Sequence, residues 1–104
     1  AGDSKVVALL QYLNLHLTEE LSIDQLAERF YISKYHMMRR FRQETGYSIH
    51  GYLSEKRLLL AQQLLSRGAS PSEVFTQVGY LIYFAIIAHI IVTVSSVKEA
   101  RRKL

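Results

Sequence analysis

The sequence contains no cysteine, a single proline and only five glycines in 104 residues. Without cysteine the chain has neither a disulfide framework nor a thiolate metal site, so a reducing cytoplasm is an acceptable environment. The low proline and glycine content, with 49% hydrophobic residues, excludes a disordered or fibrous chain. The N-terminus also lacks the basic start and apolar core of a signal peptide. We therefore expect an ordered cytoplasmic chain that folds as one domain or as two small coupled subdomains.

Charge is distributed unevenly, although the formal net charge is only +4. Residues 1–28 hold one lysine against five acidic residues, whereas residues 29–57 hold seven lysines and arginines against two glutamates. The tail from Lys98 onward is basic again. Because local charge density rather than the total attracts phosphate, the central basic block is the candidate anion-binding surface.

Two capped helices follow a first helix, one ending where the basic block begins and the other lying within the block. Apolar spacing predicts a first helix over residues 4–17, with an inward stripe of Val6, Leu10, Leu13 and Leu17. Ser22, followed by Gln25 in a capping box, predicts a short second helix. Ser33 predicts the N-cap of a third helix that runs from Lys34 and ends before Gly46. Two short helices joined across a brief turn, with the small Ala27 where they must cross, form a helix-turn-helix pattern.

The second half of the chain repeats this layout in outline. A long helix is predicted over residues 49–65, closed by Gly68. Ser70, Pro71 and Glu73 then mark another helix start. The segments 22–41 and 70–90 share a cap, a short helix, a turn and a second helix. After Gly79, however, residues 80–94 are almost all apolar, and periodicity cannot orient such a segment.

These signals predict an all-α fold of two helix-turn-helix subdomains joined by a long linker helix, with about six or seven helices in total. The expected boundaries are residues 1–48 for the first subdomain, 49–67 for the linker helix and 68–104 for the second, divergent subdomain. Together they would form one DNA-binding domain.

The third helix carries the candidate reading face. At about 100° per residue, Met37 and Phe41 share one side and are expected to face the core. The opposite side then carries the predicted base contacts, which are Tyr35, Met38, Arg39 and Arg42. Arginine can donate two hydrogen bonds to guanine, whereas tyrosine and methionine can pack on thymine methyl groups. The alternative is an ordinary solvated charged face.

The flank and the N-terminus of the same helix carry the predicted phosphate contacts. These are Ser33, Lys34, His36 and Arg40, because side chains on the flank and the N-terminus of a helix approach the DNA backbone. Lys56 is either a DNA contact or solvated. For Arg57, on a mostly buried helix, a structural bond to carbonyls or acids and a phosphate contact are both open.

Residues 21–65 resemble the DNA-binding domain of the AraC/XylS family of bacterial transcription regulators. The segment LSIDQLAERFYISKYHMMRRFRQETGYS is similar to the family's first helix-turn-helix, and its linker-helix pattern stands as Tyr52, Arg57, Ala61, Leu64 and Leu65. The resemblance implies two helix-turn-helix units on a long helix, with recognition helices in successive major-groove segments. It also implies base contacts by Tyr35, Met38 and Arg39.

The second half is similar to the family only up to Tyr80. Phe75 stands where the family usually has a small residue at the helix crossing. The second recognition helix would be apolar, with Tyr83, Phe84, Ile87, Ala88, Ile91 and Val92 in place of polar and basic residues. Such a helix offers almost nothing to a base edge or a phosphate, so no DNA contacts are assigned to it.

Catalytic and metal-binding functions have little support. The histidines at positions 16, 36, 50 and 89 lack metal-ligand spacing, and neither a nucleophile motif nor a glycine-rich phosphate loop is present. We expect no enzyme activity, no metal and no cofactor. His89, set among isoleucines, is interpreted as a hydrogen-bonded buried or interface residue.

The favoured function is therefore a sequence-specific DNA-binding transcription regulator, or its detached domain, with double-stranded DNA as the partner. One alternative is a protein-interaction or self-association module that uses the apolar segment 80–94 to bind a partner protein or a second copy. Another is a membrane-associated protein, because residues 78–94 approach the length of a membrane span and precede a basic tail.

Overall fold

The computed structural model describes residues 4–103, and its description of side chains leaves out residues 84–89. Every regular element in residues 4–103 is helical, which confirms the all-α prediction. The α-helices are α1 (Ser4–Leu15), α2 (Ile23–Arg29), α3 (Lys34–Thr45), α4 (Ile49–Ser66), α5 (Pro71–Val74) and α6 (Tyr80–Arg102). A π-helical segment, Phe75–Gly79, connects α5 to α6.

The main core lies between α1, α2, α3 and the beginning of α4. Phe41 and Leu13 are fully buried at its centre. The inward face of α1 consists of Val6, Leu9 and Leu13, so Leu9 belongs to the core, whereas Leu10 and Leu17 lie at its edge. In such a core, truncating a phenylalanine to alanine costs about 3–5 kcal/mol, so this cluster supplies much of the fold's stability.

The helix ends follow the predicted local chemistry. The Ser22 and Ser33 side chains accept hydrogen bonds from the backbone N–H groups of Gln25 and His36, at 3.1 and 3.2 Å. Gly46 ends α3 in the left-handed conformation. These serines satisfy N–H groups that a helix terminus leaves without a partner, and each cap contributes about 1 kcal/mol.

The turn between α2 and α3 places a tyrosine in a left-handed conformation. Tyr31 has φ of +53°, and its N–H donates to the Glu28 carbonyl at 3.2 Å. The N–H of Ile32 reaches back to the carbonyl of Ala27 at 3.1 Å. This is the Schellman pattern, in which glycine usually occupies the left-handed position because it lacks a Cβ. The buried Ala27 lets the two helices cross directly beside this turn.

A buried arginine fastens α4 to the connection between α1 and α2. The Arg57 Nε donates to the Leu17 carbonyl and one terminal nitrogen donates to the Glu19 carbonyl, both at 2.8 Å. Burial lowers the pKa of the Arg57 guanidinium, and the nearby Tyr80 opposes part of that shift. The group stays charged near neutrality because the pKa of arginine lies far above this range. Of the two roles left open for Arg57, the structural one is observed.

The second half of the described chain differs from the predicted layout. The Ser70 capping box forms with Glu73, and Pro71 begins α5 as expected. The repeat predicts a turn between two helices within residues 70–90, but Gly79 has φ of −62° and the helix continues through it. The Phe75 ring lies against Gly79, where an added Cβ would meet its Cδ2 at 2.8 Å. Phe75, at the expected crossing site, is exposed, whereas Ala27 at the crossing of α2 and α3 is buried.

The second core is correspondingly small. It consists of Ala61, Val74 and Val78, with partly buried neighbours from α4 and from the start of α6. From residue 90 onward α6 is exposed. Phe84, Ile87 and Ala88 of the predicted apolar recognition helix, and His89, interpreted as a buried or interface residue, have side chains outside the described residues. Among the helices described, none is long and apolar enough to cross a membrane.

We predict that Tyr31→Gly stabilises the protein. A left-handed conformation strains a residue with a Cβ, and the relief outweighs the backbone entropy of glycine by about 0.5–1 kcal/mol. Denaturant unfolding should show the gain in the free energy of unfolding. Tyr35→Gly, at another exposed tyrosine but inside α3, should instead destabilise the protein by a similar amount. Equal effects from both substitutions would contradict the interpretation of the turn.

We predict that Arg57→Lys destabilises the protein by about 2 kcal/mol. An ammonium keeps the charge but cannot reproduce the planar fork that reaches two carbonyls, so one buried carbonyl loses its partner. The matched control is Arg67→Lys at the exposed end of α4, expected within about 0.5 kcal/mol of the parent. Equal stability of the two variants in thermal and denaturant unfolding would show that the two hydrogen bonds do not hold the fold together.

Candidate nucleic-acid interface

The rotation of α3 about its axis is fixed by two core side chains. Met37 and Phe41 lie one turn apart and are both buried. Ser33 fixes the start of the helix through its bond to the His36 N–H, and Gly46 fixes its end. Because one face is held in the core, the opposite face must point outward. Tyr35 is 73% exposed on that outward face.

The outward face of α3 forms one wall of an open groove of about 430 Å³. All four residues predicted to contact bases lie on this wall, namely Tyr35, Met38, Arg39 and Arg42. The other wall is formed by Ile23 at the start of α2 and by Ser48, Ile49 and His50 at the start of α4. The structure therefore brings the predicted reading residues together on one surface that is open to solvent.

Intramolecular ion pairs divide the cations of α3 into two groups. Lys34 Nζ lies 3.4 Å from a carboxylate oxygen of Asp24, and the Arg40 guanidinium lies 3.7 Å from Glu44. Within residues 4–103, leaving aside the side chains 84–89, the guanidinium groups of Arg39 and Arg42 have no such partner. The two arginines on the groove are thus available to an external acceptor, whereas two cations on the flanks are already paired.

The four residues predicted to contact phosphate do not lie on the groove. Ser33 and His36 are exposed at the N-terminal end of α3, where Ser33 caps the helix. Lys34 also lies 5.6 Å above the ring of Tyr35. Arg40 lines a narrow cleft on the opposite flank, facing Lys5 of α1. These four residues therefore lie at the N-terminal end and on one flank of α3, outside the groove.

Lys56 lies further along α4 and is not among the residues that line the groove. Lys56 Nζ lies 5.6 Å above the ring of Tyr52, which packs edge-on against Phe41.

The sequence interpretation did not identify Ser48 and His50 as part of the groove. A signal was present, since only three residues separate α3 from α4, and so short a connection keeps the start of α4 beside the end of α3.

Comparison with known proteins places the chain among helix-turn-helix proteins. A family model described as a helix-turn-helix domain matches residues 26–84, which is more than half of the chain. The xylose operon regulatory protein of Escherichia coli K12 is 31% identical over 85 residues, covering 79% of this chain and 22% of that protein. The multiple antibiotic resistance protein MarA of Salmonella typhimurium is 30% identical over 64 residues, covering 62% of this chain and 50% of MarA.

A solved structure supports the same assignment. The C-terminal domain of AraT, a response regulator from Geobacillus stearothermophilus, superposes with a TM-score of 0.69 at 28% identity. The match covers 74% of this chain and 65% of that one. The chain spans between about a fifth and a half of the length of the curated relatives it matches.

We predict that Asp24→Asn raises the affinity for duplex DNA about twofold to fivefold, the range expected when an exposed ion pair no longer occupies Lys34. Fluorescence anisotropy at low and moderate salt would measure the change. Glu99→Gln, which removes the same charge from the exposed end of α6, is the control for net charge. If the two variants gain the same affinity for duplex DNA, the pairing of Lys34 with Asp24 does not limit binding.

Proposed function

The chain belongs to the AraC/XylS family of helix-turn-helix DNA-binding domains, and from this premise we propose that it reads the major groove of double-stranded DNA mainly with α3. The observation that carries the proposal is the groove wall of Tyr35, Met38, Arg39 and Arg42, on which neither arginine has an ion-pair partner among the residues that the structure describes. As part of a whole protein, it would act as a transcription regulator in the cytoplasm.

The side chains on the wall favour a particular base chemistry. Arg39 stands opposite the buried face of α3 and would donate two hydrogen bonds to the O6 and N7 atoms of a guanine. Tyr35 and Met38 offer apolar surface to thymine methyl groups, and Arg42 extends the donor row by one turn. The preferred site would therefore contain a guanine close to thymines, read from one side of the helix.

The flanking residues would orient α3 without reading sequence. Ser33, Lys34 and His36 lie at its N-terminal end, where a helix favours a phosphate, and Arg40 lies on the flank. Contacts of this kind add affinity on any duplex and make it fall with salt. Since Lys34 and Arg40 are paired with acids in the free protein, these pairs must open or be shared when a phosphate approaches.

We further propose that the three segments of the chain differ in function. Residues 1–48 form the reading subdomain, residues 49–67 the linker helix, and residues 68–104 a second subdomain without a reading face. Continuity of the helix through Gly79 supports the last assignment, because no separate recognition helix leaves the chain there. A single chain would then recognise a shorter site than a domain with two reading helices.

Adjacent arginines allow a direct test of base reading against phosphate contact. We expect Arg39→Ala to lower the preference for a duplex enriched from a random pool over an arbitrary duplex by roughly tenfold or more. Arg40→Ala should weaken binding to both duplexes alike and reduce the slope of log K against log salt by about 0.9. Titrations of both duplexes at several salt concentrations would measure the two quantities.

Three outcomes would contradict the proposal. The first is an absence of salt-sensitive duplex binding by the parent chain. The second is an Arg39→Ala variant with unchanged preference, and the third is loss of preference in Arg40→Ala alone. Circular dichroism of both variants would confirm that the helices are retained.

A further inference from the structure

We propose that His50 is a DNA contact on the second wall of the groove, where its imidazole donates a hydrogen bond to a phosphate of the strand that borders α3. The proposal rests on the function proposed for α3. It extends the binding surface from one helix to two, and it assigns a role to a histidine that the sequence pattern left without one.

The position of His50 is fixed by its neighbours. It is the second residue of α4, whose start is held by the hydrogen bond from the Gly51 N–H to the Ser48 side chain at 3.0 Å. The preceding residue, Ile49, is only 2% exposed in the main core. The next side chain along a helix is turned by about 100° from Ile49, and His50 is exposed on the groove.

The dimensions of DNA decide which part of the duplex His50 meets. The major groove is about 12 Å wide, and a helix with its side chains is about 10–12 Å across. Once α3 occupies the groove, the adjacent turn of α4 has no room beside it and must lie over the rim. The rim of the major groove is the phosphate backbone, so a donor on the second wall faces phosphate oxygens instead of base edges.

The electrostatic surroundings suit an anion. Arg39 and Arg42 line the facing wall, and no carboxylate is among the residues that line this groove. Among the described residues, the side chain of His50 has no hydrogen-bond or ion-pair partner. His16 is different, because its ring stacks on Tyr12 and bonds to Glu19. The His50 ring therefore keeps its donor capacity for an external group.

A gain of charge at this position provides the sharpest test. The two DNA probes are an arbitrary 30-base-pair duplex and a duplex enriched from a random pool by the parent chain. We expect His50→Lys to raise the affinity for both equally and to steepen the slope of log K against log salt by about 0.9. The control is Gln62→Lys, which adds the same charge on the exposed surface of α4, about 18 Å further along the helix. It should leave the slope unchanged.

Removal of the ring gives the converse result. We expect His50→Ala to lower the affinity for both duplexes roughly threefold to tenfold, the range for the net loss of one ordinary hydrogen bond. A loss confined to the enriched duplex would overturn the phosphate assignment, as would equal salt slopes for His50→Lys and Gln62→Lys. Thermal unfolding of each variant would show that the fold is unchanged.

The Arg39→Ala variant separates this inference from the function on which it rests. If Arg39→Ala loses its preference while His50→Lys behaves like Gln62→Lys, only the inference about His50 fails. If the parent chain shows no salt-sensitive binding, both proposals fall. If His50→Lys raises and His50→Ala lowers the affinity for both duplexes alike, and Gln62→Lys leaves the salt slope unchanged, the DNA-binding surface includes the start of α4.

Discussion

The structure depends on the close crossing of α2 and α3, which requires a small side chain at Ala27 and a reversal of the chain at Tyr31. The crossing lets α3 bury Met37 and Phe41 against α1 and α4, and this sets the rotation of α3. Once that rotation is set, Arg39 has only one direction left, which is outward into the groove. In the proposed function, sequence recognition would therefore originate in a packing constraint on the other side of α3.

The second half shows what happens without that constraint. An offset of 48 residues aligns the Ser70 cap with the Ser22 cap and places Phe75 opposite Ala27 and Gly79 opposite Tyr31. Glycine is the better residue for a left-handed turn, yet the turn forms at the tyrosine and not at the glycine. Local preference is worth only about 1 kcal/mol, so tertiary contacts override it. Where α2 and α3 cross at the buried Ala27, burial of the core outweighs a strained tyrosine, whereas at Phe75 and Gly79 the helix continues.

Electrostatics then divides the cations that packing has placed on the surface. Lys34 and Arg40 are held by Asp24 and Glu44, so their attraction for phosphate is moderated in the free protein. The arginines on the groove have no such partner among the described residues, and their hydrogen-bond donors stay available for base edges. A surface of this kind would limit affinity for arbitrary DNA while retaining the contacts that distinguish sequences.

The sequence by itself determined the helical class, the serine caps, the glycine at the end of α3 and the shared position of Tyr35, Met38, Arg39 and Arg42 on α3 away from its buried face. These features depend on short-range chemistry and on a helical period that one buried face makes visible. Only the tertiary structure decided the role of Arg57, the second wall at His50 and the course of the chain at Gly79. Each of these depends on which distant group is adjacent, such as a carbonyl 38 or 40 residues away in sequence. Spacing along the chain does not contain that information, because the packing of whole helices sets it.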